Sequence, residues 1–191
     1  MQNKYFTGVG SRETPTEILA LMRNYSRIMT LKGWSFRSGG ADGADTAFAQ
    51  GWCDAYAEDD SVPNGEIYLP WNGFNYLNNR SINCVLVTDK EIIEQAQNFL
   101  KDIHPAFSKL TRGSLSLHTR NVFQVLGSDL QTPSQGLIGY AALDSKGEPK
   151  GGTRTAVKLA ELHGVKVRNL AKEEDLRFIK EFVERSVCQK C

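Results

Sequence analysis

The sequence predicts an α/β fold, an open parallel sheet with helices on both faces. Two observations carry this. Short apolar runs alternate along the chain with longer segments of helical periodicity, and several of those runs end in glycine-bearing turns that lead directly into a helix. With 191 residues the chain is long enough for one sizeable core and short for two, so a single domain over residues 1–187 is expected, with residues 188–191 as a frayed tail.

The elements follow in order. Residues 4–9 are a short apolar run and a first strand. Residues 16–31 carry Ile18, Leu19, Leu21, Met22, Ile28 and Met29 at mostly helical spacing behind a Thr14-Pro15 start signal, and Gly33 closes that helix. A second strand at 35–38 leads into a glycine-rich turn at 39–45. The helix at 46–56 has small residues on a face that must pack closely. After an acidic loop at 58–65 come a third strand at 66–69 and a loop bearing Trp71, Phe74 and Tyr76. Helices are expected at 91–103 and 116–126, with 104–113 between them unassigned. A fourth strand at 137–142, a helix at 153–163, a fifth strand at 166–170 and a helix at 173–185 complete the chain. No internal repeat or low-complexity segment interrupts it.

Composition narrows the function classes. Apolar residues make up 40% and charged residues 24%, the balance of an ordinary globular protein rather than a disordered one. The net charge of +1 gives no global field that favours a polyanion, so any anion site must be local. The start Met-Gln-Asn-Lys-Tyr-Phe lacks the apolar core of a signal peptide, and no run reaches the length of a membrane span. A cytoplasmic protein is expected, with no membrane partner. Cys53 and Cys84 sit in separate apolar segments, where buried free thiols are expected. Cys188 and Cys191 form one C-x-x-C, which lacks the second ligand pair of a zinc site, and His104, His118 and His163 stand at no ligand spacing to it. Neither a metal nor a cofactor is implied.

Three turns carry the candidate chemistry. In "GVGSRE" the first strand ends at Gly10, Ser11, Arg12 and Glu13, a place to lay backbone and a cation against an anion. In "SGGADGAD" the second ends at Ser38, Gly39, Gly40, Asp42, Gly43 and Asp45, where bare amides and a helix start suit phosphate or ribose oxygens. A tight, closely packed connection without ligand would show the same glycines. In "KGGTRT" the residues Gly151, Gly152, Thr153, Arg154 and Thr155 join amides, two hydroxyls and a guanidinium at a helix start. In an open parallel sheet these exits lie on one edge, so the three turns are expected to converge on one mouth. On the helix "LHTRNVFQVLG" the polar His118, Arg120, Asn121 and Gln124 interrupt an apolar face, and periodicity leaves open whether they face a site or solvent. The aromatic loop "LPWNGFNY" reads equally as a base-stacking platform or as a lid over the core.

Together, "VGSR", "SGGADGADTA", "LHTRN" and "GGTRTAVKLAELHG" resemble the SLOG superfamily, the Rossmann-like group of bacteria and their phages that includes the DNA-processing protein DprA and the cytokinin-activating LOG enzymes. The resemblance runs from Gly8 to about Leu170. It implies a Rossmann-like fold, a homodimer or higher homo-oligomer, and a nucleotide or nucleotide-derived ligand held by these turns in the host or bacterial cytoplasm. LOG enzymes cleave an N-glycosidic bond with the help of a Glu in their phosphate-turn motif. Here that position is Lys158, and an ammonium cannot stabilise an oxocarbenium-like sugar. An enzyme of this kind would need Arg120 as the orienting cation and a carboxylate from Asp45 or Glu13. DprA-like proteins bind single-stranded DNA with an Arg in the turn where this chain has Asp42, which disfavours DNA. The expected function is binding of a small nucleotide, such as a signal that is sensed or sequestered; the alternatives are a nucleoside monophosphate N-glycosidase of altered site and DprA-like binding of single-stranded DNA.

Overall fold

The computed structural model describes residues 4–188. Six strands form one sheet: β1 (Lys4–Gly10), β2 (Trp34–Ser38), β3 (Glu66–Tyr68), β4 (Cys84–Val85), β5 (Gly136–Tyr140) and β6 (Lys166–Asn169). Their spatial order is β4-β3-β2-β1-β5-β6, and every pairing is parallel. Phe6 lies opposite Phe36 on one side and Gly136 on the other, so β1 is the central rail on which both halves are registered. Six helices cover the sheet: α1 (Thr16–Leu31), α2 (Ala44–Glu58), α3 (Lys90–Ile103), α4 (Arg112–Leu126), α5 (Thr153–Leu162) and α6 (Glu173–Cys188).

The alternation of apolar runs and amphipathic helices has the expected consequence, two separate cores. Met22, Phe48, Trp52 and Ile179 from α1, α2 and α6 pack on one face of the sheet with Phe6 and Phe36. Leu100, Val122, Leu126 and Leu159 from α3, α4 and α5 pack on the other with Val9, Tyr68 and Leu137. This is an open Rossmann-like α/β fold. Strands buried on both faces read as near-continuous apolar runs, which is how β1 and β5 stand out in the sequence.

Boundaries move where local chemistry outweighs periodicity. Helix α4 begins at Arg112 rather than at 116, because the Thr111 hydroxyl accepts from the Ser114 amide at 3.2 Å and starts the helix a turn early. The two-residue β4 has no counterpart among the expected strands; it is short, half-buried and preceded by Asn83 at φ 63°. The small-residue face of α2 does meet α1 closely: a Cβ on Gly51 would stand 2.2 Å from the Arg23 carbonyl.

The cysteine expectations need correction. Cys53 is exposed, since α2 turns Gly51, Trp52 and Ala55 inward and leaves Cys53 on its outer side, and Cys84 is only half-buried on its edge strand. Cys188 is the last residue of α6, and the remainder of the expected tail, including Cys191, lies outside the described residues. No helix among the described residues is long and apolar enough to cross a membrane.

Candidate functional site

A switch in connection direction fixes where a cavity can form. From β1 the chain passes to α1 on one face, and from the neighbouring β5 it passes to α5 on the other. The two connections therefore diverge beyond the carboxyl ends of adjacent strands and leave a crevice between them. A cavity of about 510 Å³ occupies that crevice.

All three glycine turns reach this cavity, to different extents. The first contributes Gly10, Ser11, Arg12 and Glu13, and the third contributes Lys150, Gly151, Gly152 and Thr153. The second contributes only Ala41 and Asp45. Helix α4 supplies the wall between them with Ser114, Leu117, His118, Arg120, Asn121 and Gln124. Ser11 anchors the first turn: its amide donates to the Tyr140 carbonyl at 2.9 Å, and its hydroxyl accepts from the Glu13 amide at 3.1 Å. Arg12 and Glu13 are left exposed beside the opening.

The glycines of the second turn serve packing. A Cβ on Gly39 would sit 1.2 Å from Arg120 Nη1, so the missing side chain is what lets the guanidinium cross this backbone. A Cβ on Gly43 would come within 2.9 Å of Arg12 Cα, which brings the first and second turns together. Neither these glycines, nor Ser38, Gly40 and Asp42, line the cavity. The Ser38 hydroxyl donates to the Gly8 carbonyl at 2.8 Å, and Asp42 accepts from Asn75 at 2.9 Å. That last bond, with one from Asn75 to the Gly40 carbonyl, ties the aromatic loop to the second turn.

The third turn is different. No heavy atom lies within 4 Å of a Cβ placed on Gly151, and only Asn121 Nδ2 at 3.9 Å approaches one on Gly152, so space rather than packing surrounds both. The Asn121 amide donates to the Gly152 carbonyl at 3.1 Å and holds the turn in place. Helix α5 starts immediately after with no side-chain cap, and the amides of Gly152 and Thr153 donate to no acceptor among the described residues. Its positive end is thus open to the cavity. Arg154 and Thr155 point elsewhere. The Arg154 guanidinium lies 3.8 Å from Asp144 and 3.6 Å from Glu148, in the loop that precedes the turn. Thr155 is buried and reaches the cavity wall only through its hydroxyl, 2.9 Å from His118 Nδ1. Lys158, at the position of the LOG carboxylate, does not line the cavity.

Electrostatics divides the cavity into two parts. At its opening Arg12 and Lys150 have no carboxylate within ion-pair distance among the described residues. At its floor Arg120 is committed to Asp45 at 3.0 Å, with both side chains buried. Burial pushes the Asp45 carboxyl up from its ordinary value, and the Arg120 charge and hydrogen bond pull against that. His118 is pushed down to about 4, first by burial and then by the neighbouring His104 and Arg120, so its imidazole is neutral at pH 7. The rings of His104 and His118 meet edge-to-face at 4.5 Å, a proximity that sequence spacing does not reveal. No group of three or more His, Cys, Asp or Glu side chains arranged to hold a metal comes together among the described residues.

Sequence reading overlooked Ser114, took Leu117 as core, placed Lys150 in the third turn without a role and left Gln124 without a site. A signal was present: Ser114, Leu117, His118, Asn121 and Gln124 recur at i, i+3, i+4, i+7 and i+10, one stripe of a helix. No protein-family model matches the chain, and no curated protein matches it. The fold is Rossmann-like, an architecture common to nucleotide-binding proteins in general, with a crevice at the switch between β1 and β5.

Proposed function

We propose that the chain is a SLOG-like protein that binds a nucleotide or nucleotide-derived small molecule in this crevice, with a phosphate on the amides of Gly152 and Thr153 between Arg12 and Lys150. One observation carries the reading: an uncapped helix start, surrounded by space and flanked by two unpaired cations, opens into a cavity of about 510 Å³. Unmatched amides at the positive end of a helix favour an anion, and two nearby cations add charge-assisted contacts. The volume falls within the range of small-molecule sites and is far from the long groove that a polynucleotide tracks. Because Asp45 is committed to Arg120, Glu13 is the acceptor left at the opening for a ribose hydroxyl.

The test is mass spectrometry of the small molecule that the purified protein carries, followed by calorimetry with it or with nucleoside monophosphates. Arg12→Ala and Lys150→Ala should each weaken binding about ten- to a hundredfold, with unchanged melting temperature, as for loss of one charged hydrogen bond. Full affinity in the double variant would refute the placement. The N-glycosidase reading keeps one supporting observation, the Glu13 carboxylate within the cavity. Free base released from a nucleoside monophosphate by the native chain, and not by Glu13→Gln, would establish it.

A further inference from the structure

The floor of the cavity holds polar atoms that the fold leaves unmatched. Both amide atoms of Gln124, Nε2 and Oε1, are buried without a hydrogen-bond partner among the described residues, and so is Nε of Arg120. Gln124 is 1% exposed, yet it lines the cavity together with Arg120. A buried amide with neither donor nor acceptor matched costs stability that an apolar side chain of similar size would not. Such a group at the end of an otherwise suitable ligand cavity points to a partner that arrives from outside.

The kind of partner follows from the donor and acceptor inventory. Gln124 presents one acceptor and one donor side by side, and Arg120 Nε–H adds a second donor. The walls around them include Val9, Ala41, Leu117 and Ala156, which suit a flat apolar face. Charge is balanced within the floor by the Asp45–Arg120 pair, while the unpaired cations stand at the opening. The complementary group is an uncharged planar heterocycle whose edge offers a donor beside an acceptor, which describes a nucleobase.

Resting on the phosphate placement above, we infer that Gln124, assisted by Arg120 Nε, is the specificity-determining residue that reads the hydrogen-bonding edge of the ligand's base. The phosphate turn then supplies affinity common to all phosphorylated ribosides, and Gln124 supplies the difference between them.

Calorimetry on the full chain separates these contributions. The probes are ribose 5-phosphate and the 5′-monophosphates of adenosine, guanosine, cytidine and uridine. The native protein should bind ribose 5-phosphate, and at least one monophosphate tenfold or more tighter. Gln124→Leu should abolish that preference and leave ribose 5-phosphate affinity within about twofold, since a site built to hydrogen-bond a group loses most when its own polar atoms are removed. The same variant should raise the melting temperature, because it deletes the unmatched amide. Should Gln124→Leu fail to fold, Gln124→Glu, which keeps the shape and exchanges the donor for an acceptor, should change which base is preferred. A preference unchanged in the folded variant overturns the role of Gln124 and leaves the phosphate site standing. A native protein that binds neither ribose 5-phosphate nor any monophosphate overturns both.

Discussion

Gly39→Ala perturbs the floor of the site without adding or removing a charge. The new Cβ would stand 1.2 Å from Arg120 Nη1 and 2.7 Å from Gln124 Nε2. The guanidinium must therefore leave the position from which it holds Asp45 at 3.0 Å. The backbone is no obstacle, because Gly39 is not among the residues with positive φ, and alanine's narrower unfolded ensemble contributes about 0.4–1 kcal/mol in its favour. Against this stands the buried pair, with Asp45 4% and Arg120 8% exposed. Breaking such a pair costs about 3–5 kcal/mol when one partner is removed. Here the displaced arginine keeps its charge and can turn toward the cavity, which puts the loss at the lower end. The expected net destabilisation is about 2–4 kcal/mol, read from urea unfolding at pH 7 with an unchanged m-value. Asp45→Asn supplies the control: with no carboxylate to lose, Gly39→Ala should cost at least about 1.5 kcal/mol less in that background. A Gly39→Ala protein within about 0.5 kcal/mol of the native one, or equal costs in both backgrounds, would refute the argument.

Three further outcomes are expected. With the His118 imidazole held at about 4 in the folded chain against an ordinary value of 6.5, the unfolded chain binds the proton first as pH falls, so stability drops between pH 6.5 and 4. Urea midpoints at pH 7 and pH 5 should differ less in His118→Gln than in the native chain, and an identical difference would discard the shift. Gly51→Ala places a Cβ 2.2 Å from the Arg23 carbonyl, where main chain must move and α1 separates from α2; a loss of about 1–3 kcal/mol or more is expected by thermal unfolding, and a neutral result would show the helices free to slide. Arg154→Ala removes two partly exposed ion pairs at 3.8 and 3.6 Å, so it should cost under about 1 kcal/mol and weaken phosphate binding less than Arg12→Ala does; the reverse order by calorimetry would return Arg154 to the phosphate.

The fold was largely legible because its signals are local. Helix α1 spans the residues that Ile18, Leu21, Met22, Ile28 and Met29 mark as one apolar stripe, and its burial pattern follows that stripe. Strands β1 and β5 announce themselves as apolar runs because helices cover both of their faces. Where the signal fails, long-range contacts decide. The apolar run in "NCVLV" is itself a strand signal that sequence reading passed over; that only two of its residues pair follows from the short ladder that Ile67 and Tyr68 offer. The outward position of Cys53 follows from the rotation of α2 against α1 and the sheet, which an isolated apolar segment does not specify.

The site shows the limit more sharply, because one sequence pattern has two physical uses. "SGGADG" and "KGGT" both place paired glycines before a helix, and both suit an anion on sequence grounds. In the first, Gly39 gives way to a guanidinium arriving from residue 120; in the second, Gly151 and Gly152 have room around them. What separates the two is the space a Cβ would occupy, and that space is set by elements more than thirty residues away. Arg154, by contrast, is drawn to Asp144 and Glu148 in the loop just before its own turn, while the packing of α4 brings Gln124 to the floor. On the proposed reading, therefore, cations and glycines mark the region of the anion site in the sequence, while the atoms offered to the ligand are those the rest of the fold leaves unmatched: the amides at the start of α5 and the carboxamide of Gln124.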